Sequence, residues 1–139
     1  MVTRILVPFD GSSPSETALE YAFETFPDAD VTALYVVPTP DGYWGAFEDF
    51  DVRVPDDARE RGQEILEEAA SIADDLGVDR ETELEVGKPD QAIVNAAETD
   101  DYDAIVIGSH GREGVSRILL GSVAENVVRR SPIPVVVAR

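Results

Sequence analysis

Five short apolar segments, each separated from the next by an amphipathic or loop stretch, constrain this chain more than any other feature. Residues 3–9 (Thr-Arg-Ile-Leu-Val-Pro-Phe) read as a buried, β-branched strand ending at the turn cluster Asp10-Gly11-Ser12. Ser13-Pro14-Ser15-Glu16 then carries three agreeing helix-start signals: Ser13 as cap, Pro14 at the first helical position, and Glu16 three residues after the cap. Ala18, Leu19, Ala22, Phe23 and Phe26 follow on one helical face. Residues 31–37 form a second apolar run. Residues 57–76 carry the stripe Leu66, Ala69, Ala73, Leu76, with Gly77 where a left-handed cap is expected. Residues 82–86 alternate polar and apolar, as a half-exposed edge strand does. A short helix over 89–98 precedes 104–107, which is apolar throughout and reads as a central strand. Ser122-Val123-Ala124-Glu125 repeats the capping-box pattern and opens a helix through Arg130, and residues 134–138 form a last strand. This alternation requires an α/β fold, a three-layer sandwich with helices on both faces of a five-stranded parallel sheet.

Composition narrows the class. At 139 residues, one domain spanning 1–139 is expected, with room for an ordinary core. The absence of Cys excludes disulfides and thiolate chemistry, and the single His, His110, excludes multi-histidine zinc sites. No apolar run approaches the roughly 18–20 residues of a membrane span, and Met1 leads into strand-like sequence without a signal-peptide pattern. A soluble cytoplasmic protein is expected. The net charge of −18 argues against partnership with nucleic acid or an anionic membrane surface, both of which need clustered cations. Lys88 is the single lysine, and the remaining cations are arginines. So acidic a surface repels itself at low salt, whereas at about 1 M salt the Debye length of roughly 3 Å removes that repulsion. A halophilic protein, adapted to a salt-rich cytoplasm, is expected.

In open parallel sheets, ligands bind beyond the carboxyl ends of the strands, where strand order reverses. Four turns qualify: Asp10-Gly11-Ser12, Val36-Val37-Pro38, Val86-Gly87-Lys88 and Gly108-Ser109-His110-Gly111. After the fourth, nine residues (112–120) lead to Gly121-Ser122 at a helix start. Glycines admit a ligand close to backbone, and a helix N-terminus offers N–H groups at positive potential, so the segment reads as a phosphate cradle. Arg112 and Arg117 against Glu113 make it locally cationic. The same residues are equally read as a tight turn followed by an ordinary helix cap. No Gly-x-x-x-x-Gly-Lys-Ser/Thr loop and no Gly-x-Gly-x-x-Gly occurs. Residues 39–55 lack periodicity, the habit of a lid or binding loop. There, Tyr43, Trp44, Phe47 and Phe50 serve to cover a ligand, pack a partner or anchor the loop.

Taken together, Val7-Pro8-Phe9-Asp10-Gly11-Ser12, Val86-Gly87-Lys88-Pro89, Gly108-x2-Gly111-x9-Gly121-Ser122 and the Pro132-Ile133-Pro134-Val135 ending resemble the universal stress protein family, in its ATP-binding branch. The resemblance implies strand order 3-2-1-4-5, with Asp10 and Gly108 facing one crevice. It implies ATP as ligand, accompanied by Mg²⁺ or Mn²⁺, with Asp10 near the ribose or the metal-bound phosphates. Main-chain groups at Val36 would read the adenine, while Ile107, Gly108, Gly111, Gly121, Ser122 and Val123 surround ribose and phosphates. By position Ser109 is a further phosphate contact, and Arg112 either reaches a phosphate or faces solvent. No catalytic residue is assigned: His110 has no nucleophile or acid partner nearby in sequence, and Lys88 reads as a solvated surface cation. The function implied is a nucleotide-dependent regulatory or stress-response module with at most slow ATP hydrolysis. A weak ATPase or autokinase, and a nucleotide-free structural protein, are the alternatives. The apolar last strand, an edge that invites an identical strand, and the resemblance both point to a homodimer through residues 134–138.

Overall fold

The computed structural model describes residues 3–38, 56–109 and 121–139. Their elements run β1 (Arg4–Pro8), α1 (Ser13–Thr25), β2 (Asp30–Pro38), α2 (Asp56–Leu76), β3 (Glu81–Gly87), α3 (Pro89–Thr99), β4 (Ala104–Gly108), α4 (Ser122–Arg130) and β5 (Val135–Ala138). All pairings are parallel, and the sheet order is β3-β2-β1-β4-β5. The side-chain period of two sorts each strand between two cores. Ile5 and Val7 of β1, Val31 and Ala33 of β2 and Val106 of β4 pack with α1 and α2. Leu6, Leu34, Val36, Ile105 and Ile107 point the other way, into the core made with α3 and α4. β4 is buried along its whole length and β3 is half-exposed, as their sequence patterns require.

Helix ends carry the instructive differences. Ser12, not Ser13, caps α1: its side chain accepts from the Ser15 N–H at 3.3 Å, and Pro14 falls one place further in. At the other helix, Gly121 occupies the cap position and Ser122 is already the first helical residue. The expected capping box does not form there, because Glu125 pairs instead with Arg129 one turn on, at 2.8 Å. Gly77 does end α2 in the left-handed region, at φ +69°.

The amino ends of the strands are tied far from the carboxyl ends. Asp103 accepts from the Thr3 and Arg4 backbone N–H groups, both at 2.9 Å, and from the Thr3 hydroxyl. These donors hold its carboxyl below the usual aspartate pKa. Glu83 is opposite in sign. Burial first, then the charges of Asp100, Glu85 and Glu81, push its pKa up, against a smaller pull from Arg4. A carboxyl with a raised folded pKa costs stability while ionised, and that cost fades as pH falls through the folded value. Glu83→Gln is therefore expected to raise the melting temperature near about pH 7 and to leave it unchanged below about pH 4, where both forms are neutral. Thermal melts across that range check it.

Candidate functional site

The sheet order reverses between β1 and β4, and there the carboxyl ends of the strands open a cleft of about 420 Å³. Three strands supply its floor: Pro8, Phe9 and Asp10 from β1 and its turn, Leu34–Val36 and Pro38 from β2, and Ile107 and Gly108 from β4. Helices supply its walls, with Ser15 from α1, Pro89 and Ile93 from α3, and Gly121 through Ala124 from the start of α4. Six expected site residues thus come together with Asp10: Val36, Ile107, Gly108, Gly121, Ser122 and Val123. Ser109 is not among the described lining residues, and its backbone N–H closes the β4–β5 ladder on the Ala138 carbonyl at 3.0 Å. Gly111, Arg112 and His110 lie outside the described residues, as do residues 39–55 with their four aromatics.

Gly108 owes its identity to packing. A Cβ there would lie 2.3 Å from the Pro14 carbonyl oxygen and 2.9 Å from the Ser15 nitrogen. The first turn of α1 therefore rests directly on the end of β4, which fixes Asp10, Ser15 and Gly108 in one rigid corner. Asp10 is held by its own turn, its Oδ1 accepting from the Ser12 N–H at 3.0 Å.

The helix ends differ in what they leave open. The first turn of α1 is closed by Ser12. α3 has no side-chain cap hydrogen bond, but its first turn carries the buried Asp90 and begins with Pro89, which has no N–H to offer. α4 has no side-chain cap, and its first-turn acid is bound to Arg129. The first N–H groups of a helix lack intrahelical partners and stand at positive potential. At α4 they stand at the cleft wall. The site thus has a donor pole at Ser122–Ala124 on the β4 side, an apolar bed that includes Val36 and Pro38 on the β2 side together with Pro89 and Ile93 of α3, and the acceptor Asp10 at the end of β1, the strand between β2 and β4. That arrangement suits an anion joined through a hydroxyl-bearing part to a flat apolar ring.

Sequence reasoning placed Pro38 in a candidate ligand turn but missed Ser15, Pro89 and Ile93 as residues of the cleft. Pro89 was legible as a helix start and as part of the Val86-Gly87-Lys88-Pro89 motif, and Ile93 as a buried helical face. Ser15 was legible only as part of the α1 start, and contact across the sheet gives each its second role.

Comparison with known proteins follows the same lines. The model of the Universal stress protein family matches residues 1–139. A universal stress protein of Methanocaldococcus jannaschii is 36% identical over 145 residues, covering 98% of this chain and 81% of that protein. A solved universal stress protein in complex with cAMP superposes with a TM-score of 0.76 at 27% identity, covering 99% of this chain and 97% of that one. The universal stress protein from Archaeoglobus fulgidus in complex with dAMP gives a TM-score of 0.69 at 28% identity, covering 100% of this chain and 98% of that one. With this fold, this alternation and these matches along its length, the chain belongs to the universal stress protein family.

Proposed function

We propose that residues 1–139 form one unit that binds an adenine nucleotide, ATP in particular, in the cleft between β1 and β4, and acts as a nucleotide-dependent regulatory module. The observation that carries this reading is one cleft lined by the uncapped N-terminus of α4, by Asp10 at the end of the central strand β1, and by apolar residues of β2 and α3. Backbone N–H groups and helix dipole favour phosphate, a carboxylate accepts from sugar hydroxyls, and the apolar walls take the base. Solved relatives hold cAMP and dAMP, which share the adenine ring and a 5′-phosphate group. Asp10 is the only carboxylate among the described lining residues, which include no histidine or lysine, and such a lining favours holding ATP over hydrolysing it quickly. No group of three metal-ligating side chains occurs among the described residues. Mg²⁺ or Mn²⁺ would enter with the phosphates, and Asp10 would face either the ribose or the metal-bound phosphates.

The acidic surface supports a cytoplasm rich in salt as the working environment, and no helix among the described residues is long and apolar enough to cross a membrane. Assays belong in molar KCl. Mass spectrometry of ligand released from the purified protein, followed by ATP turnover in that buffer, tests the reading. Adenine nucleotide release or saturable ATP binding, with turnover slow or absent, is expected. A protein that neither releases nor binds adenine nucleotide overturns it.

The sheet's two edges support a dimer through β5. β3 presents Glu81, Glu83 and Glu85, charges that discourage strand addition, whereas β5 is Val-Val-Val-Ala. Ile105 and Ser109 donate to the carbonyls of Pro134 and Ala138, so the backbone groups of Val135 and Val137 point to the open edge. Val136 packs into the core beside α1, which makes its side chain a poor probe of the edge. Val137→Pro removes an outward N–H and spares the ladder to β4. It is expected to convert dimer to monomer in sedimentation velocity, and an unchanged dimer would contradict this interface.

A further inference from the structure

We propose that Ser15 reads the sugar of the bound nucleotide, accepting a hydrogen bond from one of the two ribose hydroxyls beside Asp10. The inference rests on the nucleotide reading above and adds a residue that determines specificity within it. Ser15 is only 3% exposed, yet it lines the cleft. Its Oγ lies 2.8 Å from the Ser12 carbonyl oxygen. A carbonyl only accepts, so the Ser15 hydroxyl proton is committed to Ser12 and its lone pairs are what it can offer a ligand. The Ser15 N–H is committed as well, to the Ser12 Oγ. Ser15 can therefore receive a donor but cannot donate to a phosphate oxygen.

Placement sharpens the assignment. Ser15 is locked under Gly108, whose missing Cβ leaves α1 in direct contact with β4, so the hydroxyl cannot retreat from the site. Asp10, five residues earlier, is also an acceptor. Asp10 and Ser15 are two acceptors in a cleft that also holds the uncapped N-terminus of α4, and together they call for a ligand that carries hydroxyl donors next to an anionic group. A ribose diol on an adenosine phosphate has that polarity, and a sugar lacking a hydroxyl leaves one acceptor without its donor.

The test is calorimetry in molar KCl with AMP, 2′-deoxy-AMP and 3′-deoxy-AMP, on the wild type, Ser15→Ala and Ser12→Ala. In the wild type, removing one of the two hydroxyls is expected to weaken binding. Ser15→Ala should weaken AMP about fivefold, the worth of one neutral hydrogen bond, and leave that deoxy analogue unchanged. Ser12→Ala, which loosens the start of α1 but keeps the Ser15 hydroxyl, should leave the ratio between AMP and the analogue as it was. If Ser15→Ala weakens all three ligands equally, or none, Ser15 only packs and the inference is wrong. A wild type that binds none of the three overturns the nucleotide reading itself, a result distinguishable from either.

Discussion

Gly108→Ala is expected to destabilise the protein by about 3 kcal/mol or more, at the upper end of overpacking effects. The added methyl would meet the carbonyl oxygen, the carbonyl carbon and the next nitrogen of the α1 backbone, at 2.3, 2.4 and 2.9 Å. Backbone cannot rotate out of the way as a side chain can. Relief requires α1 to lift from β4, which opens the core made by Ala18, Leu19 and Ala22 against Val106. Against a total stability of roughly 5–15 kcal/mol, a loss of this size is visible in any denaturant melt. Nucleotide affinity should fall with it, because Asp10 and Ser15 lie on the two sides of the displaced contact. An alanine variant as stable as the wild type would show that α1 does not rest on Gly108.

The second large effect concerns affinity without stability. Asp10→Asn keeps an oxygen for the Ser12 N–H and so preserves the turn, but it removes the negative charge from the acceptor pole. Hydrogen bonds to charged groups are worth about 1.5–3 kcal/mol, so nucleotide affinity should fall roughly 10- to 100-fold while the melting temperature stays within a degree or two of the wild type. Asp10→Ala removes the turn contact too and should lower both. If Asp10→Asn binds nucleotide as tightly as the wild type, the carboxylate serves the turn alone.

Much of the fold was legible because strand and helix periods differ and the chain keeps to each. The alternation of Ile5, Leu6 and Val7 between two cores, and the stripe from Leu66 to Ala73, leave little choice of element or face. Cap assignments slipped by one residue at two helices, at α1 because consecutive serines compete for a single position. Ser12 and Ser13 are equivalent on paper, and only backbone geometry selects Ser12. At α4 the slip bears on which of two readings, phosphate cradle or ordinary helix cap, the helix start supports. Ser122 with Glu125 reads as a self-satisfied cap, yet Glu125 turns to Arg129 and the cap falls on Gly121, leaving the helix end available to a ligand. Gly108 was legible as important but for a different reason, since nothing in the sequence reveals that α1 crosses over it. Ser15 escaped notice because a serine near a helix start has an adequate local explanation.

The account depends on the first backbone amides of α4 gripping a phosphate, and amide NMR during titration with AMP in molar KCl reads those groups directly. The N–H resonances of Ser122, Val123 and Ala124 are expected to move saturably and together, with that of Asp103 at the far end of the sheet unmoved. Saturable binding that leaves those three resonances in place, or an absence of any shift, would contradict it.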